Sequence, residues 1–473
     1  MLSIVVTIVL ILNLFAIIAV IFLERRNPVT TMAWLLALTT MPLVGFFLYL
    51  LFGRGFTSKK ALSLQKQEER FVKRIVDRQL GDLSGGREVN ATYKQLMQMN
   101  LKVDQALCTN NNEVKIYTDG KEKYEDLLRD LQEAKQYIHL LYFIIGNDQI
   151  GEAVFKVLKA KKEEGLEVNV LFDALGQVKD SMKVYKKYKK AGIEVNMFSP
   201  LKATASLKAN YRNHRKLVII DGEIGYIGGM NLSDSYQGMD KRLKPWRDTH
   251  LRIVGGAVAL MEMRFILDYR HVSGRRMEHM VKYFQRKEHF TGTVPIQIVS
   301  SGPHETTENI KLTYVKMIQS AENYVYIQTP YFIPDASFLD AIRIACYSGN
   351  DVRIMIPGLP DKRFVYKGTL SYVEELLEMG ARVFCYNGFL HAKAIVVDDK
   401  MCSIGSANMD IRSFKISFES NAIMYDQGVA EAYRVIFLED EKHCKEILLE
   451  EFKKRSWFER IEESLSRLLS PLL

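Results

Sequence analysis

His391-Ala-Lys393 sets an imidazole two residues from an ammonium, and Asp398 follows after the four residues Ala-Ile-Val-Val. Six residues further on comes Gly405-Ser406-Ala407-Asn408. Read as a strand, residues two apart share a face, so His391 and Lys393 project side by side. The apolar β-branched run suits a buried strand. Asp398-Asp399 is turn chemistry that ends it, and Met401-Cys-Ser-Ile returns as a second short strand. Gly405 and Ser406 are small enough for a ligand to approach the backbone, and Asn408 adds a neutral donor. An imidazole, an ammonium and an amide grouped this way suit an anionic phosphate ester.

The pattern occurs twice with every interval kept: His214-Arg-Lys216, four residues, Asp221, six residues, Gly228-Gly229-Met230-Asn231. A lone His-x-Lys is commonly a surface histidine beside a solvated lysine; two full copies are not. A third, His443-Cys-Lys445, has no Gly-x-x-Asn after it and lies in what reads as an exposed helix, so it is set aside.

The elements that position the two copies repeat as well. A helical pattern from Leu127 leads to the strand Tyr137–Ile144, and Thr313–Ala321 leads to Tyr324–Ile333. Helices then close at Gly165 and Gly349, followed by strands Val168–Phe172 and Val352–Ile356. Further helices close at Gly192 and Gly380, followed by strands Glu194–Phe198 and Arg382–Tyr386, and only then does each motif arrive. Alternating strands and helices predict an α/β sandwich, mostly parallel, with hairpins at the motif strands. The motif aspartates read as residues that order the site, with a plain turn role for Asp221 ahead of Gly222 still open.

The N-terminus is different. Residues 2–23 are apolar apart from Ser3, Thr7 and Asn13, and about 20 such residues cross a bilayer core. No basic leader or cleavage signature marks a signal peptide. A second apolar run, Thr31–Phe52, contains Trp34, Pro42 and Gly45. The pair predicts a transmembrane hairpin, with a re-entrant second segment as the alternative. Arg54, Lys59, Lys60, Lys66 and Arg70 follow it, which by the positive-inside rule puts the catalytic part on the cytoplasmic face of the cell membrane. Five cysteines without a Cys-x-x-Cys agree with a reducing compartment. The expected divisions are a hairpin over residues 1–56, a polar helical tether over 57–108, and α/β halves over 109–290 and 291–473. The last half ends in an amphipathic helix from Trp457 through Ile461, Leu465 and Leu468, expected to pack into the core, with an interfacial seat as the alternative.

Net charge is +9, an excess that favours anionic partners. Near the first motif lie Lys202, Lys208, Arg212 and Arg215, then Lys241, Arg242, Lys244 and Arg247. Together they read as a rim that concentrates an anionic lipid surface.

The paired motifs resemble those of the phospholipase D superfamily. Over nearly the whole chain the sequence resembles its bacterial cardiolipin synthases, through Trp246–His250, Ser301-Gly302-Pro303, Thr329–Phe332, Asp410–Ser413, Glu419-Ser-Asn421 and Arg467–Leu473. The resemblance implies two pseudo-symmetric sandwich halves meeting at one site. One histidine attacks phosphorus to give a phosphohistidine while the other serves as acid and base. Lys216, Lys393, Asn231 and Asn408 bind the non-bridging oxygens. It further implies Asp248 as the orienting carboxylate of the first half and Glu419 of the second, with His214 favoured as nucleophile. Gly229 stands where serine is common, and Tyr269 where tryptophan is expected. No metal or other cofactor is expected.

The implied reaction joins two phosphatidylglycerols into cardiolipin with release of glycerol, at an anionic membrane. A hydrolytic phospholipase D or another phosphatidyltransferase is the near alternative. A membrane-tethered endonuclease is the distant one, although no nucleic-acid partner is expected. A homodimer is compatible with all of these.

Overall fold

The computed structural model describes residues 2–22, 28–49, 66–84, 91–198, 211–274, 280–284, 290–468 and 470. Arg25, Arg26, Arg54, Lys59, Lys60, Gly85, Gly86, Lys202, Lys208 and the terminal Pro471-Leu-Leu lie outside the described residues.

One compact unit comprises residues 1–57 with 201–211. It holds the helices Leu2–Phe22, Pro28–Thr40 and Pro42–Leu48, the last two separated at Met41 by the proline that follows. Asn13 would be costly unpaired among apolar side chains, and its Nδ2 donates to the Leu38 carbonyl at 2.9 Å. Ala16, Val20, Leu38 and Tyr49 form a small core, while Ile8, Leu12, Phe15, Met32, Leu36 and Phe47 are exposed. Among the described residues no helix is long and apolar enough to cross a membrane.

The second unit, residues 58–200 with 212–473, carries both motifs. Its first half contains β1 (Cys108–Tyr117), β2 (Tyr137–Tyr142), β3 (Glu167–Asp173), β4 (Glu194–Phe198), β5 (Leu217–Ile220), β6 (Ile224–Gly228), β7 (Trp246–Arg247) and β8 (His250–Gly255). The second half begins with β9 (Val294–Ser301), β10 (Tyr324–Gln328), β11 (Phe332–Ile333), β12 (Asp351–Pro357), β13 (Arg382–Tyr386) and β14 (Phe389–Leu390). It continues with β15 (Ala394–Val397), β16 (Met401–Gly405), β17 (Met409–Asp410), β18 (Glu419–Met424) and β19 (Cys444–Ile447).

Fifteen strands join in the order β19-β13-β12-β10-β15-β16-β18-β9-β1-β8-β6-β5-β2-β3-β4. Outward from the β9–β1 seam, the two halves repeat the same connectivity. The expectation of a mostly parallel sheet is corrected. Within this sheet only the outer trios β2-β3-β4 and β10-β12-β13 pair in parallel; the motif hairpins, the seam and the β19 edge are antiparallel. The sequence signals for parallel pairing came from helix crossovers, which exist only in the outer trios. The first helix starts at Gly120, ahead of the expected Leu127, because the Asp119 carboxylate caps it by accepting from Lys121 N at 2.6 Å. His443–Lys445 is not helical: the helix ends at Glu441 and Cys444–Ile447 forms the edge strand.

Alternation along the motif strands divides the core. Val218 and Ile220 face the helices of their own half, and Ile395 and Val397 face those of theirs. Leu217, Ile219, Ala394 and Val396 face one shared core between the halves. Helices Lys66–Ser84 and Ala91–Asp104 pack Val76, Leu83, Leu96, Met97 and Leu101 onto the second half's outer core.

Candidate active site

The strands of both motifs begin after the lysine, at Leu217 and at Ala394, so the histidine and lysine lie on the lead-in and not within the strand as expected. Each lead-in is instead bonded to the other half. His214 N donates to the Phe418 carbonyl at 2.9 Å, and Phe418 N donates to the Arg212 carbonyl at 2.8 Å. Reciprocally, β14 pairs in parallel with β7, and His391 N donates to the Arg247 carbonyl at 2.6 Å.

This crossing decides the carboxylates. Glu419 directly follows Phe418 and Asp248 directly follows Arg247, so each acid is delivered to the histidine of the opposite half. His214 Nδ1 lies 3.0 and 3.2 Å from the Glu419 oxygens, and 3.2 Å from the Ser406 carbonyl. His391 Nδ1 lies 2.7 Å from Asp248 Oδ2. The expected pairing within each half is therefore wrong, because backbone pairing across the seam outranks order along the chain.

The lysines are buried, and each Nζ donates back to the carbonyl of its own motif histidine at 2.5 Å. Burial, opposed by Glu419, holds Lys216 well below its ordinary pKa; burial, opposed by Asp248 and Glu419, brings Lys393 down to about 8. Burial also lowers both histidines to about 4. Their carboxylates oppose that shift, while Lys216 and Lys393 each press on both rings. Both rings are thus neutral at pH 7, and both feel the ammonium of the opposite half. A carboxylate at Nδ1 fixes the proton there and leaves the Nε2 lone pair for chemistry. His214 packs edge-on to Phe143 at 5.0 Å, whereas His391 is ringed by Tyr236, Trp246 and Phe389 at 5.6 to 5.9 Å.

Asp221 and Asp398 are not among the groups that meet. Strands β5 and β15 separate them from the lysines, so the aspartates of the two motifs take no part in catalysis and order the turns instead. Asp221 accepts from the backbone N–H groups of Lys135, Gln136 and Tyr137 at 2.7 to 2.9 Å. Asp398 accepts from Glu322, Asn323 and Tyr324 at 2.6 to 2.8 Å. Each pins its hairpin turn to the start of the neighbouring strand, from a left-handed φ near +50°. In the first turn Gly222 shares that conformation, as a tight hairpin requires.

Asn231 is also a brace. Its Oδ1 accepts from Ile144 N at 3.0 Å and its Nδ2 donates to the Tyr236 hydroxyl at 2.5 Å, which occupies the amide expected on phosphate. Asn408 keeps a buried Oδ1 without a partner among the described residues. Gly229 and Ser406 make room for a carboxylate and not for a ligand. A Cβ at Gly229 would lie 2.1 Å from Asp248 Oδ1, while Ser406 Oγ donates to Glu419 Oε2 at 2.5 Å. Tyr269 is a buried core residue stacked on Phe265.

The basic rim is smaller than expected. Arg215 is fully buried: its Nη1 donates to Asp268 at 2.7 and 2.9 Å, its Nε to the Glu419 carbonyl at 3.1 Å, and its Nη2 to the Ser301 carbonyl at 3.1 Å. Arg247 is buried as well, its Nε donating to Asp440 at 2.9 and 3.0 Å. These arginines clamp the second half to the first, and only Lys241, Arg242 and Lys244 of the second cluster are exposed. Sequence reasoning missed Asp268 and Asp440. It missed Asp173 too, which accepts from Asn213 N at 3.0 Å and steadies the residue before His214. Lys123 was also unforeseen: it is buried, donates to the Tyr142 hydroxyl at 2.9 Å, and is lowered to about 7 by burial despite the charge of Asp248. The one available signal was Arg215 itself, a cation inside a motif whose second copy has Ala392.

A family model described as cardiolipin synthase, PLD-like domain matches residues 127–241 and 314–441. A model described as phospholipase D-nuclease N-terminal matches residues 11–54. The chain is 45% identical over 470 residues to a cardiolipin synthase 2 of Staphylococcus epidermidis, covering 98% of this chain and 96% of that one. It is 44% identical over 471 residues to a cardiolipin synthase of Staphylococcus aureus, covering 98% and 95%. A cardiolipin synthase of Oceanobacillus iheyensis is 44% identical over 469 residues, covering 98% of each chain. Among solved structures, phosphatidylserine synthase of Haemophilus influenzae superposes with a TM-score of 0.61 at 15% identity, covering 80% of this chain and 100% of that one, a likeness of fold. With both motif halves inside one family model and near full-length similarity to its members, the chain belongs to the cardiolipin synthase family of the phospholipase D superfamily.

Proposed function

We propose that this chain is a phosphatidyltransferase that converts two phosphatidylglycerols into cardiolipin and glycerol through a phosphohistidine. The observation that carries the chemistry is the crossed pair of histidine–carboxylate dyads, each beside a buried lysine. The lipid class rests on the near full-length similarity to cardiolipin synthases. Nε2 of His214 attacks phosphorus and the bond to the glycerol oxygen breaks. His391, as imidazolium, gives that oxygen its proton. The phosphodiester's negative charge raises the low pKa of His391 towards the protonated form this step needs. Neutral His391 then takes the proton of a second phosphatidylglycerol's free hydroxyl, whose oxygen attacks phosphorus as the phosphorus–nitrogen bond breaks. Lys216 and Lys393 oppose the charge that builds on the non-bridging oxygens in each step. Asp248 and Glu419 position the two rings and stabilise them when charged.

The N-terminal hairpin is read as a membrane anchor that keeps the catalytic unit in the cytoplasm. Supporting this are the exposed apolar side chains of the first unit, among them Phe15, Met32, Leu36 and Phe47, and the match of residues 11–54 to the N-terminal family model. Such an anchor holds the site where acceptor lipid is concentrated and water is scarce.

Purified full-length protein added to phosphatidylglycerol vesicles is expected to yield cardiolipin and glycerol in equal amounts. Phosphatidic acid as the only lipid product overturns the transferase reading in favour of hydrolysis.

A further inference from the structure

The C-terminal helix Trp457–Leu468 was expected to bury its apolar stripe, and it does the reverse. Ser456 and Glu459 form a capping box that fixes its start: Ser456 N and Oγ donate to Glu459 Oε2 at 3.0 and 2.9 Å, and Glu459 N donates to Ser456 Oγ at 3.3 Å. From there, 3.6 residues per turn gather Trp457, Phe458, Ile461, Leu465 and Leu468 within an arc of about 100°. That arc points outward: Trp457 is 62% exposed, Phe458 64% and Leu468 76%.

The opposite, polar arc holds the helix to the protein. Glu463 is 4% exposed and takes Arg455 Nη1 at 2.7 Å. Glu462 takes Arg363 at 2.8 Å and Lys367 at 3.4 Å. Arg467 pairs with Glu375 at 2.9 Å and lies over the Tyr372 ring at 4.3 Å. A helix that spends its charges on the protein and its hydrophobes on the outside is built for an apolar medium.

The surroundings identify the medium. Arg460 on the helix, and Lys362 and Lys454 just before the two helices, are exposed, the arrangement that suits anionic headgroups around a buried apolar face. The surface also continues to the site. Helix Arg363–Leu370, which carries the C-terminal helix, begins two residues after Asp361; Asp361 accepts from the Tyr331 hydroxyl at 2.5 Å and its charge acts on Lys393. Leu359 and Phe364, on the same segment, are exposed apolar side chains.

We propose that Trp457, Phe458, Ile461, Leu465 and Leu468 form a bilayer-docking face that seats the catalytic unit on an anionic lipid surface. The proposal rests on the lipid-transferase reading above. It adds a second, reversible membrane contact beside the site, through which lipid reaches the motifs without leaving the bilayer.

Full-length protein carrying Trp34→Phe and Trp246→Phe leaves Trp457 as its single tryptophan. In phosphatidylglycerol vesicles its emission is expected to shift to the blue and to be quenched by lipids brominated on the acyl chain. Emission that stays quenchable only by aqueous acrylamide overturns the proposal. So does a face covered by a second copy, seen as a homodimer in which Trp457 is shielded from both quenchers. In the otherwise native chain, Ile461→Asp with Leu465→Asp is expected to lower turnover of vesicle phosphatidylglycerol about tenfold or more. Turnover of a short-chain phosphatidylglycerol dispersed as monomers is expected to stay unchanged. Equal losses on both substrates, or none on either, overturn it. Native protein that makes no cardiolipin would defeat the lipid-transferase reading, while Trp457 quenching tests the docking face without any turnover.

Discussion

In the first half Asp248 sets its carboxylate into the space Gly229 leaves empty; in the second, Glu419 is one methylene longer and is tied down by the hydroxyl of Ser406. Both acids reach across the seam to Nδ1 of the other half's histidine, at 2.7 and 3.0 Å. The small residue and the acid therefore work as a matched pair, Gly with Asp and Ser with Glu. A duplicated unit keeps its chemistry only if both members change together. The seam itself is less even. Both clamping guanidiniums, Arg215 and Arg247, come from the first half, and Ala392 is the counterpart of Arg215 in the second. The first half thus acts as the gripping partner, and its own motif is tied down by the same arginine that holds the Glu419 backbone.

The comparison can be broken most severely at the rings. His214→Ala and His391→Ala are each expected to cut cardiolipin formation by about 10³-fold or more, since each ring forms or breaks a bond in both half-reactions. Only His391→Ala should accumulate the phosphohistidine, read by intact-protein mass. The crossed dyads come next. Glu419→Gln is expected to lower turnover by about 10²-fold and to depress the pKa of His214 further, because the opposing charge is lost. His391 should respond instead to Asp248→Asn. Titration of the ring resonances by NMR checks both, and a His214 response to Asp248→Asn would restore the pairing within each half.

The matched pairs give smaller effects. Gly229→Ser forces a Cβ against Asp248 and should cost more activity than Ser406→Gly, which removes one hydrogen bond to a carboxylate, for about a tenfold loss. Steady-state rates of the two variants side by side decide whether the halves differ as described. Smallest is a dependence on pH. The folded protein holds both rings at about 4, below the unfolded value near 6.5. Between those values the unfolded chain binds more protons, so stability rises with pH across that window and falls on acidification through it. Denaturant unfolding at pH 7 and pH 5 should show the loss, and replacing both histidines by glutamine should flatten it.

Much of this was legible in the chain. The intervals of the two motifs, the repeated order of strands and the glycines at helix ends depend on residues close in sequence, and they appear where the periodicity places them. The left-handed turns at Asp221 and Asp398 likewise follow from local chemistry. Parallel pairing was overestimated, since hairpins and the central seam use the same apolar strands. Arg215, Arg247 and the C-terminal helix were misjudged for one reason. Composition states that a side chain is charged or apolar, but the side it faces is set by neighbours that lie from 53 to 205 residues away for Arg215 and up to 99 away for the C-terminal helix.

What the sequence determined by itself was therefore the inventory: two imidazoles, two ammoniums and two acids on duplicated sandwich halves. Tertiary structure alone decided which acid serves which ring, because each motif's lead-in is hydrogen-bonded to the opposite half and carries the neighbouring carboxylate with it. Spacing along a chain fixes local geometry; a contact between strands of two halves is settled only when their backbones pair.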